Sequence, residues 1–147
     1  MSQRVRLSIA FAALWALSSF GCGGVKPPDL YAVSGKVTYQ GQPVPGAKLV
    51  FIPEKEDLKS QPLTRAGGET DEQGNFEMTW GDDQLVGSPA GSFKVAVYAY
   101  EEVGEDHDDE IKPASLIPER YNSPATSGLT ATVKQNGENV INFDLAP

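Results

Sequence analysis

The chain has 147 residues, 39% of them hydrophobic, with 12 basic and 20 acidic side chains and a formal net charge of −8. That length suits one domain of ordinary size plus an extra segment, and an acidic chain without a basic cluster excludes binding to nucleic acid, which rests on Lys and Arg. One Cys and one His exclude an internal disulfide, a Cys-based zinc cluster and a His-rich metal site.

Arg4 and Arg6 open the chain as a short basic stretch, and an uncharged, mostly apolar run follows from Leu7 to Gly21. The run is shorter than the roughly 20 residues that a membrane span needs. A basic start, a short apolar core and small residues at its end predict a secretory signal peptide over residues 1–21. Ser19-Phe20-Gly21-Cys22 resembles a bacterial lipobox, in which a small residue precedes the cysteine to be lipidated. The usual Leu three residues before the cysteine is replaced by Ser19. Cys22 is the only cysteine, and a free thiol is a liability in an oxidising exported compartment. The resemblance implies a diacylglycerol on Cys22 and a further acyl chain, such as palmitate, on the new N-terminus. Two or more chains hold a protein stably on a membrane. Gly23 follows the cysteine, and by resemblance to lipoprotein sorting the absence of Asp there implies the outer membrane. Residues 22–30, with Gly23, Gly24, Pro27 and Pro28, read as a tether, and the folded domain as residues 31–147.

From residue 31 the apolar pattern has period 2, broken by Gly, Pro, Asn and Asp, which predicts an all-β fold. Tyr31, Val33, Val37 and Tyr39 form one face of a first strand, with Ser34, Lys36 and Thr38 on the other. Gln40-Gly41-Gln42-Pro43 is a turn. Ala47, Leu49 and Phe51 share a face of the next strand, which Pro53 ends. A weaker strand over residues 63–70, the turn Asp71-Glu72-Gln73-Gly74-Asn75, and the alternation Phe76, Met78, Trp80 predict a hairpin. Residues 81–91 read as a loop. Phe93, Val95, Val97 and Ala99 mark the clearest strand, with Lys94, Tyr98 and Tyr100 on its other face. Leu129-Ala131-Val133 and Ile141-Phe143-Leu145 close the chain, and Asn136-Gly137 between them predicts a tight hairpin turn. Seven or so such strands predict a single sandwich of two antiparallel sheets.

Three segments resemble the carboxypeptidase regulatory-like, transthyretin-like (prealbumin-like) domains. Residues 34–51, SGKVTYQGQPVPGAKLVF, resemble their opening strand–turn–strand. Thr70-Asp71-Glu72-Gln73-Gly74-Asn75-Phe76 resembles their T-D-x-x-G-x-F turn. Leu116-Ile117-Pro118-Glu119-Arg120-Tyr121 with Thr126-Ser127-Gly128-Leu129-Thr130 resembles the closing segment of small bacterial lipoproteins built on this domain. The resemblance spans about residues 32–145. It implies a seven-stranded, Ig-like sandwich without catalytic activity, serving as a folding, spacing or binding module. The related transthyretin-like hydrolases use His and Arg side chains, whereas this chain has only His107.

Three candidate sites remain. Seven of residues 101–110 are acidic. They read either as a solvated, self-repelling loop or as a weak Ca²⁺ site in which Asp106, Asp108, Asp109 and Glu110 supply oxygen ligands. EF-hand spacing fails, because Ile111 falls where the loop needs Gly. Tyr98 and Tyr100 share a strand face, with Trp80 and Tyr121 as neighbours in prospect. They read either as a platform on which sugar rings stack or as cover for the second sheet face. Arg120 is expected to cap the sandwich edge against a carboxylate. No nucleophile elbow, metalloprotease motif or phosphate loop is present, so no catalytic residue is assigned. The expected function is a non-catalytic, lipid-anchored module of the cell envelope that contacts an envelope protein or glycan.

Overall fold

A computed structural model of the chain describes residues 28–54, 65–82, 84–101 and 113–147. The period-2 pattern becomes short strands: β1 Leu30–Tyr31, β2 Val33–Tyr39, β3 Gln42–Pro43, β4 Lys48–Pro53, β5 Ala66–Glu69, β6 Asn75–Glu77, β7 Thr79–Trp80, β8 Leu85–Val86, β9 Ser88–Pro89 and β10 Gly91–Tyr98, followed by β11 Leu129–Val133, β12 Asn139–Val140 and β13 Phe143–Leu145. One 3₁₀ turn, Glu119–Asn122, lies between β10 and β11. The protein is all-β.

The larger sheet has the order β11-β10-β4-β5-β7-β8 and is antiparallel throughout. In the smaller sheet β2 is central. β12 and β13 run along one of its edges, and β3 and β6 also pair with it. The inner faces meet in one core. Phe51 of β4 stands edge-on to Phe143 of β13, with centroids 6.2 Å apart, so aromatic contact crosses directly between the sheets. Phe93 adds to the Phe51 side at 5.7 Å and Phe76 stacks on Phe143 at 6.1 Å. Such pairs add about 0.5–1.5 kcal/mol each beyond the area they bury. As expected from alternation, Phe93, Val95, Val97 and Ala99 are all buried.

The segment Phe76 to Trp80 departs from the expected single strand. Its first half, β6, pairs with β2, and its second half, β7, pairs with β5. The chain changes sheet at Met78, whose N–H reaches Val33 O at 2.9 Å. The hairpin register with β5 is kept at both ends, by Thr70↔Phe76 near the turn and Ala66↔Trp80 beyond the switch. A strand that changes sheet makes a corner of a sandwich. Thr70 fixes the base of that turn. Its buried hydroxyl donates to Val44 O (2.6 Å) and accepts from Ala47 N (2.8 Å).

Three other expectations are corrected. Residues 81–91 are not all loop, because β8 pairs with β7 and β9 pairs with β1, which separates Tyr31 from the strand that begins at Val33. Asn136-Gly137 does not close a hairpin, since β11 belongs to the larger sheet and β12 and β13 to the smaller. The chain arches between sheets instead. The C-terminal strands also run parallel to β2, not antiparallel, so the smaller sheet is mixed.

That parallel strand is interrupted between β12 and β13. Ile141 N donates to Ser34 O (2.8 Å), and the Asn142 side-chain oxygen accepts from Lys36 N (3.0 Å), replacing a ladder bond. The interruption brings Ile141 O so close to Gly35 that a Cβ there would overlap it and would press within 2.8 Å of the Phe76 ring. Glycine at 35 is therefore required by close approach of another backbone.

Candidate functional site

Alternation along β2 points Val33 and Val37 into the core and leaves Ser34, Lys36 and Thr38 half-buried on the other face. Register then decides their neighbours. Glu77 lies opposite Ser34 and Asn75 opposite Lys36, while Val140 flanks Ser34 and Asp144 flanks Thr38 on the other side. Together these residues line an open groove of about 980 Å³, with Glu69 and Asp71 on its rim.

The groove is amphipathic: Phe76, Val140 and Phe143 share its lining with four carboxylates, Glu69, Asp71, Glu77 and Asp144, and with one cation, Lys36. Thr38 Oγ1 donates to Asp144 Oδ1 (2.8 Å), so that pair is mutually engaged. Asp71 Oδ1 accepts from the main-chain N–H of Gln73 (2.9 Å) and of Asn75 (2.8 Å), and Oδ2 accepts from Asn75 Nδ2 (3.0 Å). These bonds hold the Asp71 carboxyl below the ordinary carboxylate range, the Asn75 side chain chiefly, with the Asn75 and Gln73 amides and the Lys36 charge adding to it. The turn presents a fixed negative charge beside a positive one. Such a surface can hold a polar ligand by hydrogen bonds and ion pairs.

The predicted sugar platform is only partly assembled. Tyr98 and Tyr100 do lie on one side of the β10 line, Tyr98 half-buried opposite Lys48 and Tyr100 exposed at 41%. Tyr100 forms a bridge with Ser115, and its hydroxyl accepts from Asn122 Nδ2 (3.2 Å). It borders a second recess of about 480 Å³ with Pro113, Ala114, Ser115, Glu119 and Asn122. Trp80 and Tyr121, by contrast, are in the core at 0% and 5% exposure and cannot join a stacking surface.

Arg120 does cap an edge, but among the described residues its partners are two main-chain oxygens and the Tyr121 hydroxyl, and not an acidic side chain. Nη2 donates to Ala146 O and Pro147 O, both at 2.7 Å, and the guanidinium lies 4.7 Å from the centre of the Tyr121 ring. Cys22 and the four proposed cation ligands, Asp106, Asp108, Asp109 and Glu110, fall outside the described residues. Among the described residues no group of three or more His, Cys, Asp or Glu is placed to hold a metal.

Sequence reasoning missed the groove. The polar face of β2 was visible in Ser34, Lys36 and Thr38, but Asn142 and Asp144 stand 106 residues away from their partners, and nothing local announces that pairing. Comparison of the chain with protein-family models, curated proteins and solved structures gave no match.

Proposed function

We propose that this protein is a non-catalytic module of the cell envelope, anchored by lipid on Cys22, whose β-sandwich binds an envelope protein or glycan. The observation that carries the reading is the open groove on β2, where carboxylates, Lys36 and apolar side chains lie side by side, a surface suited to recognition of a large partner by hydrogen bonds and apolar contact together. The same reading takes the fold to the carboxypeptidase regulatory-like, transthyretin-like class. In support, β6 with β7 and β12 with β13 each form one interrupted strand, and with β2, β4, β5, β10 and β11 they make seven principal strands.

Two measurements test it. The intact mass of protein purified from its host's membranes should equal residues 22–147 plus two or three acyl chains; a bare mass rejects the anchor. Co-sedimentation with isolated envelope material should fall at least about tenfold when Lys36→Glu and Glu77→Lys are combined, the scale of losing one well-made charged contact. Equal sedimentation of parent and variant rejects the groove.

A second reading is favoured by Tyr100, whose exposed ring borders a recess that also holds a carboxylate and an amide, Glu119 and Asn122. That trio suits a sugar ring, through stacking and paired hydrogen bonds. It predicts retention on a polysaccharide column that weakens in Tyr98→Ala and Tyr100→Ala, and passage of the parent through every common glycan column rejects it.

A further inference from the structure

β11 is the outermost strand of the larger sheet, paired with β10 on one side. The register fixes which of its peptide groups face away. Glu54 N donates to Ser92 O at 3.0 Å, so the even-numbered residues of β10 turn their main-chain groups toward β4 and the odd-numbered ones toward β11. Ser127 Oγ donates to Val95 O, in keeping with that parity. Since Gly91, Phe93 and Val95 pair with Val133, Ala131 and Leu129, the odd residues of β11 are bonded into the sheet. Thr130 and Thr132 therefore present N–H and C=O outward.

Lys134 is the next residue in this phase, and it shows what the edge accepts. Its N–H donates to Asn139 Oδ1 (2.8 Å) and its C=O accepts from Asn139 Nδ2 (3.2 Å). A side-chain amide occupies the place where a neighbouring strand's peptide would pair. Further back along the strand, at Thr132 and Thr130, no such partner exists among the described residues. Edge strands are usually guarded by Pro, by a charge or by a bulge. Leu129-Thr130-Ala131-Thr132-Val133 carries none of these.

We propose that this edge pairs antiparallel with β11 of a second copy of the chain, about a two-fold axis at Ala131. The strand is nearly palindromic about that residue. With Ala131 opposite the partner's Ala131, Thr130 meets the partner's Thr132 and Leu129 meets the partner's Val133. Every outward N–H then finds an outward C=O, and the exposed threonines form cross-strand pairs of a favourable kind. An axis at Thr132 would need the Lys134 groups that Asn139 already holds. An axis at Thr130 would set Thr132 against Gly128, where the chain leaves the strand at φ +68°. The strand itself is uncharged, so two copies of an acidic chain can meet there without opposing carboxylates on the paired strands. The interface is isologous, as two-fold pairing requires, and it joins the two larger sheets into one.

The test uses the full chain. At the axis the two Ala131 residues form a non-hydrogen-bonded pair with Cα atoms about 4.5 Å apart, within reach of a disulfide. Ala131→Cys should give a covalent dimer on mild oxidation. The parent, which keeps Cys22, and Val86→Cys, on the exposed strand at the opposite edge, should give only background. Thr132→Pro removes an N–H that faces solvent in the monomer, a tolerated place for proline. At about 0.1 mM chain, where weak edge contacts are populated, it should convert a sedimenting dimer to monomer. Cross-linking of Ala131→Cys no stronger than that of Val86→Cys overturns the proposal. So does a dimer that persists in Thr132→Pro, or a cross-link from Ala131→Cys to a different protein.

Discussion

Asn139 grips Lys134 by both of its main-chain groups, and its Nδ2 also reaches Ala32 O at 3.2 Å. One buried amide thus ties the arch between the sheets to β11 on one side and to the start of β2 on the other. A hairpin would have satisfied those groups through a ladder, but the arch has none to offer.

Asn139→Ala should destabilise the fold by about 1–3 kcal/mol, the scale of leaving main-chain groups without their partners in a part-buried site. Asn139→Asp keeps the size but turns two donated bonds into contacts between a carboxylate and carbonyls. It should therefore cost at least as much at neutral pH. Urea unfolding of both variants checks this, and a loss below about 0.5 kcal/mol, the level of an ordinary surface substitution, would show the amide to be incidental.

Gly35→Ala is predicted to be among the most damaging methyl additions in the molecule. Its Cβ would overlap Ile141 O, an atom of the backbone, so relief requires moving the C-terminal strand away from β2. A cost of about 3 kcal/mol or more is expected, in the range of overpacking with a backbone shift. Gly67→Ala, where the nearest atom to the added methyl is Leu49 O at 3.7 Å, should be far milder. Thermal unfolding of the pair separates close approach from generic strand propensity.

The contrast between these residues shows what a sequence can carry. The alternation of Phe93, Val95, Val97 and Ala99 encodes a face, because period 2 is a local property of the strand. The run Phe76, Met78, Trp80 encodes its inward face equally well, yet not that it feeds two different sheets, since the change at Met78 depends on Val33. Asn136-Gly137 carries a true local turn signal. The strands beside it belong to different sheets, so a tertiary preference overrides it. Trp80 and Tyr121 have the composition of a stacking platform, and only packing reveals them as core. For the groove, Ser34, Lys36 and Thr38 were legible as a polar face, but its far wall is built by a parallel strand from the other end of the chain.

Asp71 gives the turn a pH signature. Its folded-state carboxyl is held below the ordinary value of 3.8 by hydrogen bonds that the unfolded chain lacks. A depressed carboxyl contributes stability that is fully present above the unfolded value and is lost as pH falls through the folded one. The parent should therefore lose stability on acidification from about pH 5, and Asp71→Asn should lose less of it over the same interval. Coincident slopes for the two proteins below pH 5 would show that the Asn75 and Gln73 contacts do not persist in solution.

Tyr121 and Arg120 fasten the last described residues to the core. The buried Tyr121 hydroxyl accepts from Ala146 N (2.9 Å) and from Arg120 Nη2 (3.0 Å), and it donates to Ala146 O (3.1 Å). Tyr121→Phe removes all three contacts and leaves the Ala146 N–H without them, so a loss of about 1–3 kcal/mol is expected. Arg120→Ala removes two bonds to main-chain oxygen and the cation above the ring, with an expected loss of about 1–2 kcal/mol because the group is accessible to water. Arg120→Lys should recover only part of that, since one nitrogen makes both main-chain bonds but the flat guanidinium over the Tyr121 ring is lost. The two sites share Ala146, so their effects should not add. The double variant Arg120→Ala, Tyr121→Phe should fall short of the sum by at least about 0.5 kcal/mol. Strict additivity would mean that the two side chains hold the segment independently.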